Sequence, residues 1–124
     1  MRVLYVEDDP AALLLVQKRL GKDGIEVVGA SSPTTGMDLL KKQSFDALIL
    51  DIMMPGIDGI QIGRYARKEG QQKDIPIILL TAHPTAMRDP KARELRPVAS
   101  LTKPVQWDKL LAALNTIQGG KKQP

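Results

Sequence analysis

The fold of this chain is constrained most by its short apolar runs, each of which stops at a polar or charged side chain. They are RVLYV before Glu7 and Asp8, ALIL before Asp51, IPIILL before Thr81 and VASLT before Lys103. Such runs are typical of buried strands. In an open parallel sheet, ligands bind beyond the carboxyl ends of the strands. If these strands are parallel, three carboxylates, a hydroxyl and an ammonium meet at one edge, a set that suits a divalent cation and a phosphoryl group.

Composition narrows the class of protein. The 124 residues are 43% apolar and 26% charged, which indicates one globular domain. The chain has no cysteine, which excludes disulfides and thiolate metal sites and favours a reducing compartment. No apolar run reaches the roughly 18 residues of a membrane span. The start, MRVLYVEDD, turns acidic unlike a signal peptide, so we expect a cytoplasmic protein that does not bind membranes.

The net charge of +4 is not organised for nucleic acid. Aromatic residues make up only 3% of the chain, and no basic run or zinc-ligand spacing accompanies the charge. We therefore interpret the basic residues as a solvated surface and expect no bound nucleic acid. The acids are unevenly placed instead, because Glu7, Asp8 and Asp9 stand together in a chain with excess base.

Apolar runs alternate with helical patterns, which predicts βα repeats and a parallel sheet. Asp9 and Pro10 have the residue types of a helix N-cap and first helical position. Asp58 is interpreted as the cap of a third helix. Three prolines crowd the fourth helix, and Pro90 fits only a first turn or a break. Strands are predicted at residues 2–6, 26–30, 47–50, 77–80 and 98–101. The first helix is predicted to open at Asp9 and Pro10 and to be ended by Gly21 and Gly24, and the others to lie at 33–42, after 58, within 86–95 and at 107–117.

The motifs YVEDD, LILDIMMPGIDG, ILLTAH and LTKP, in this order and each at the end of an apolar run, resemble the receiver domain of two-component response regulators, of the chemotaxis-regulator type. The resemblance covers residues 2 to about 117. It implies an α/β, flavodoxin-like (βα)5 three-layer sandwich with a five-stranded parallel sheet of order 2-1-3-4-5 and helices on both faces. We expect a receiver domain at residues 1–118 and a flexible tail or the start of a linker at 119–124.

The resemblance also implies a role for each matching acid. Asp51 would be the phosphoacceptor. Asp8 would bind Mg²⁺, or Mn²⁺, directly, and Glu7 would bind it mainly through water. The backbone carbonyl of Met53 would be a further metal ligand.

The remaining motif residues would act on the phosphoryl group. Thr81 would donate a hydrogen bond to a phosphoryl oxygen, and Ala82 would leave room for the incoming group. Lys103 would pair with the phosphoryl group or with Asp51, and the Lys103–Pro104 peptide would be cis. From the residues alone, Thr81 is open to a second interpretation as a strand-end cap, and His83 to one as a residue of the pocket rim.

Formal charge explains why this chemistry needs a metal. Glu7, Asp8 and Asp51 sum to −3, whereas Mg²⁺ and Lys103 supply +3. A near-neutral site can accept a phosphoryl group, and a carboxylate can attack phosphorus to form an acyl phosphate. Without metal, three carboxylates face one ammonium, so at least one carboxylate should have a raised pKa.

The implied function is a signalling phosphoacceptor that catalyses only its own phosphorylation and dephosphorylation. The donor would be a sensor histidine kinase, a phosphotransfer protein or a small acyl phosphate. The face formed by helix four, strand five and helix five would then control a protein partner or a fused output domain. We expect a monomer or a weak phosphorylation-dependent dimer.

Two positions depart from the family pattern. Ser100 stands where the family usually has Tyr or Phe, so the usual aromatic switch should be absent. Arg96-Pro97 replaces the family's Gly-Ala before strand five. Because arginine prefers φ < 0, we expect the end of helix four to be built differently, and this face to be irregular.

Four alternatives remain open at the level of sequence. The chain is either a stand-alone regulator or the receiver of a longer protein. A nucleotide or flavin module on the same sheet would need a phosphate-cradling loop, where this chain has EDDP. An aspartyl phosphatase usually has a second acid two residues after the nucleophile, where this chain has Met53. The last alternative is a receiver that binds partners without being phosphorylated.

Overall fold

The apolar runs form a single parallel sheet in the order β2-β1-β3-β4-β5, which confirms the predicted flavodoxin-like fold. The computed structural model describes residues 1–52 and 59–122, with side chains up to residue 119. The strands are Arg2–Val6 (β1), Glu26–Ala30 (β2), Ala47–Asp51 (β3), Ile77–Thr81 (β4) and Ala99–Thr102 (β5).

Helices connect the strands, and several of them begin at a proline. They are Pro10–Gly21 (α1), Pro33–Lys42 (α2), Gly59–Lys68 (α3), Pro90–Glu94 (α4) and Trp107–Lys122 (α5), with a 3₁₀ helix at Pro84–Arg88. Asp9 caps α1 as predicted, since its carboxylate accepts a hydrogen bond from the Ala11 amide at 3.0 Å. Among the described residues, no helix is both long and apolar enough to cross a membrane.

The sheet separates two clusters of buried side chains. Alternate residues of a strand point to opposite faces, so Leu4 and Val6 join one cluster while Val3 and Tyr5 join the other. The first cluster packs under α2, α3 and α4, and the second packs under α1 and α5. The central strands β3 and β4 are buried along their whole length. Packing on both faces therefore holds the strands in place, and this sets the positions of the residues at the carboxyl edge of the sheet.

The connection from β4 to β5 is irregular, as predicted, but the expectation for its end was wrong. Arg96 adopts φ 56°, the left-handed conformation that a glycine would take. Its amide donates to the Arg93 carbonyl at 3.0 Å, and the next residue, Pro97, disfavours the right-handed helical conformation of Arg96. These neighbours hold the arginine there at a cost of roughly 1–2 kcal/mol.

Four elements have boundaries that differ from the sequence prediction. β3 and β4 each end one residue later than predicted, at Asp51 and Thr81. β5 is shifted by one residue, to Ala99–Thr102. α5 continues to Lys122, beyond the predicted end at Ile117, so residues 119–122 of the predicted flexible tail are helical. Glycine lowers the stability of a helix without forbidding it, so the helix can pass through Gly119 and Gly120. The predicted cap Asp58 lies outside the described residues.

Candidate functional site

Three carboxylates meet at the carboxyl edge of the sheet, as the strand pattern predicted. Glu7 follows β1, Asp8 begins the loop to α1, and Asp51 is the last residue of β3. One carboxylate oxygen from each lies within 4.8 Å of the others. Glu7 and Asp51 are only 2% and 5% exposed, whereas Asp8 is exposed. The cluster is therefore a buried acidic floor with one acid at its mouth.

Lys103 reaches this floor from the loop after β5. Its Nζ donates to Asp51 Oδ2 at 2.8 Å and to the two Glu7 carboxylate oxygens at 2.9 and 3.1 Å. The Lys103 amide donates to the Thr81 carbonyl at 2.7 Å, which ties the loop to β4. The Lys103–Pro104 peptide is cis, as the resemblance implied. One ammonium thus bridges the acids of two strands.

The Lys103 ammonium compensates the negative charge of the buried acids only in part. Burial raises the pKa of Glu7 from its ordinary value of 4.5 to about 7, helped by a hydrogen bond with Asp51 and opposed by Lys103. Burial alone would lower the pKa of Lys103, but its hydrogen bonds and ion pairs with Asp51 and Glu7 outweigh burial and raise it. The predicted raised carboxylate pKa is confirmed, and Glu7 is the residue that carries it.

Tyr5 belongs to this site and was missed in the sequence analysis. Its hydroxyl donates to Glu7 Oε2 at 3.4 Å from the strand position two residues earlier, on the same face of β1. Burial and the charges of Glu7 and Asp51 raise its pKa far above the ordinary value of 10, so it stays a hydrogen-bond donor. Period-two alternation in β1 was the signal that could have found it.

The Thr81 hydroxyl is engaged with the backbone that follows β4. It accepts a hydrogen bond from the His83 amide at 3.0 Å and lies 3.4 Å from the His83 carbonyl, to which it donates. Thr81 is fully buried, and His83 is exposed. In this conformation the hydroxyl caps the strand end, the second interpretation that its sequence position left open.

The donor set fits a hard divalent cation. Mg²⁺ binds oxygen ligands at about 2.1 Å in octahedral geometry, so ligand oxygens lie about 3 to 4 Å apart. The three carboxylate oxygens already lie within 4.8 Å of one another. Water would complete the coordination shell of an ion held by these oxygens. The predicted carbonyl ligand, Met53, lies outside the described residues.

A parallel sheet in this order, with buried acids and a bridging lysine at its carboxyl edge, defines a doubly wound α/β domain with an acidic phosphate- or metal-type site. The family model of the response regulator receiver domain matches residues 3–115. The chain therefore belongs to the receiver-domain family of two-component response regulators.

Individual relatives agree with this assignment. The chain is 29% identical to PilH of Pseudomonas aeruginosa over 119 residues, covering 96% of this chain and 98% of PilH. It is 39% identical over 109 residues to the sensor protein GacS of Pseudomonas syringae, covering 84% of this chain but only 12% of GacS. The response regulator TrrA of Thermotoga maritima, solved in complex with Mg²⁺-BeF, matches with a TM-score of 0.84 and 29% identity, covering 94% of this chain and 97% of TrrA.

Proposed function

We propose that Asp51 is the phosphoacceptor of a two-component phosphorelay. The observation that carries this proposal is the setting of its carboxylate, which is 5% exposed and 2.8 Å from the Lys103 ammonium. A carboxylate held in this way can attack a phosphoryl group while the ammonium neutralises the charge on the transferred oxygens. The C–O–P acyl phosphate forms as the bond from phosphorus to the donor nitrogen or oxygen breaks.

Mg²⁺, or Mn²⁺, would be held by Asp8 and Asp51, with Glu7 acting mainly through water and the Met53 carbonyl as a further ligand. The direct contact between Glu7 and Lys103 supports the indirect role of Glu7, because both carboxylate oxygens already accept hydrogen bonds from the ammonium. The metal would supply charge neutralisation at the phosphoryl oxygens. TrrA, which binds Mg²⁺-BeF, lends support as a relative of similar fold.

Thr81 would link the acceptor to the signalling face. To donate to a phosphoryl oxygen, its hydroxyl must give up the 3.4 Å hydrogen bond that it donates to the His83 carbonyl, while it can still accept from the His83 amide. His83 precedes the 3₁₀ helix Pro84–Arg88, so that exchange would shift the population of the segment leading to α4 and β5. Ser100, in place of the usual aromatic residue, is exposed and leaves this backbone route as the main one.

The donor would be a histidine kinase or a phosphotransfer protein in the cytoplasm, or a small acyl phosphate. The phosphorylated face would control a protein partner or an output domain. The protein would be a signalling phosphoacceptor that catalyses only its own phosphorylation and dephosphorylation.

Intact-protein mass spectrometry after incubation with acetyl phosphate and Mg²⁺ tests the proposal. We expect one added phosphoryl group on the unaltered chain, and none with EDTA or in the Asp51→Ala variant. Asp9→Asn is the matched control, because Asp9 caps α1 outside the acidic floor and asparagine also caps helices. A phosphoryl group on any residue other than Asp51 would contradict the assignment.

A further inference from the structure

We propose that Gly59, the first residue of α3, is a positioning residue for the acceptor Asp51. The inference rests on the function proposed above. It arises from a close approach between α3 and the end of β3 at the acidic edge of the sheet.

A side chain at position 59 would run into the backbone that carries the acceptor. A Cβ built on Gly59 overlaps the carbonyl oxygen of Asp51 and lies 2.7 Å from the Ile52 Cα and 2.9 Å from the Asp51 carbonyl carbon. Carbon atoms in contact are ordinarily about 3.5 Å apart. All three neighbours are backbone atoms, so no flexible side chain can move away instead.

The backbone after Asp51 is held from two sides. The Ile52 amide donates to the Leu80 carbonyl of β4 at 3.2 Å, and the Ile52 carbonyl accepts from the Gly59 amide at 3.2 Å. Gly59 is buried, so the start of α3 lies directly against this segment. A methyl group at position 59 must therefore strain one of these contacts and displace either the start of α3 or the Asp51–Ile52 backbone.

The displacement matters because phosphoryl transfer depends on positioning. Relieving the overlap requires a movement of roughly half an ångström or more. A misplacement of 1 Å in an active site can cost about 10²-fold in rate. We therefore expect Gly59→Ala to slow phosphorylation of Asp51 by about tenfold, measured per folded molecule.

Gly63 provides a matched control on the same helix. The three atoms nearest to a Cβ there are side-chain atoms of Leu95, at 2.5 to 3.2 Å, and the distal atoms of that leucine belong to a flexible group. Gly63→Ala thus disturbs the packing of α3 against the end of α4 without touching the backbone of Asp51. It should lower stability while the acceptor geometry remains intact.

The experiment compares the unaltered chain, Gly59→Ala and Gly63→Ala. Urea unfolding gives the stability of each protein, and a temperature is chosen at which all three are folded. The rate constant of phosphorylation at saturating acetyl phosphate and Mg²⁺ is then measured by intact mass, together with the Mg²⁺ dissociation constant. We expect about a tenfold lower rate constant for Gly59→Ala and a change of less than twofold for Gly63→Ala.

Equal rate constants in all three folded proteins would overturn the proposal. So would rate constants that fall in both variants in proportion to their losses of stability. If Gly59→Ala is unfolded in buffer, the three proteins are compared in trimethylamine N-oxide, which favours the folded state. If Gly59→Ala stays unfolded even in trimethylamine N-oxide, Gly59 is needed for folding alone, and the proposal is overturned. Failure of the proposed function is distinguishable, because the unaltered chain would then take up no phosphoryl group.

Discussion

Replacing Glu7 by glutamine should remove from the metal-free protein the loss of stability that ionisation of Glu7 causes as pH rises. The pKa of Glu7 is about 7 in the folded protein and about 4.5 in an unfolded chain. Between these values the folded state holds a proton that the unfolded state has released. The free energy of unfolding therefore falls as pH rises, and the contribution of Glu7 is fully present below pH 4.5 and lost above pH 7.

The size of this change in the free energy of unfolding follows from the two pKa values. They are separated by roughly 2.5 pH units, and each unit changes the free energy by about 1.4 kcal/mol, which gives about 3 kcal/mol in total. Glu7 is 2% exposed, so solvent screening removes little of this amount. The Glu7→Gln variant has nothing to titrate at this position and should lack the effect. Its stability relative to the unaltered protein should rise by about 3 kcal/mol from pH 4.5 to pH 8.

Urea unfolding in EDTA, followed by the fluorescence of Trp107, the only tryptophan, measures this difference. Taking the difference between the two proteins cancels the titration of other groups. Asp9→Asn removes a nearby charge outside the acidic floor and should keep the pH dependence of the unaltered protein. A difference that stays constant within about 0.5 kcal/mol across this range, a margin typical of independent sites, would refute the reasoning. Added Mg²⁺ should then stabilise the unaltered protein more than Glu7→Gln, because the metal favours the ionised carboxylate.

Two further substitutions test the irregular β4–β5 connection and the loop that precedes β4. Arg96→Gly should raise stability by about 0.5–1 kcal/mol, because relief of the left-handed conformation exceeds the added flexibility of the unfolded chain. Thermal unfolding measures the gain in stability. Arg96→Ala keeps the strained backbone conformation and should show no gain. Equal gains in stability for the two variants would contradict the reasoning. Arg67→Met should cost about 2–3 kcal/mol, because the guanidinium donates to the carbonyls of Lys73, Ile75 and Leu95 at 2.6 to 3.0 Å. Urea unfolding measures this loss of stability. A loss under about 0.5 kcal/mol, the usual effect of a surface substitution, would contradict the prediction and show that water replaces these hydrogen bonds.

The sheet and the acidic edge were predictable because they depend on local patterns. Apolar runs define strands, parallel pairing brings their ends together, and the polar residue after each run then has only one place to lie. The bridge from Lys103 to Glu7 was not predictable in this way. The sequence indicated a pair with Asp51, but which carboxylates share an ammonium depends on side-chain geometry across three strands.

The end of α4 shows why backbone propensity did not predict the conformation of Arg96. Arginine seldom takes φ > 0, yet Arg96 does, because Pro97 and the bonds of its neighbours leave the backbone little choice. The close approach of Gly59 to Asp51 and Ile52 was equally hidden, because a close approach between α3 and β3 has no sequence pattern beyond the glycine itself. Tertiary contacts decided both positions.

The division of the core by the sheet has a consequence for how such a chain can diverge over evolutionary time. Side chains beneath α1 and α5 touch a different set of neighbours from those beneath α2 and α3. Substitutions without shared neighbours combine almost independently, so each layer can drift through its own series of replacements. A lineage can therefore remodel the surface on one side while the opposite layer continues to hold β1, β3 and β4 in register.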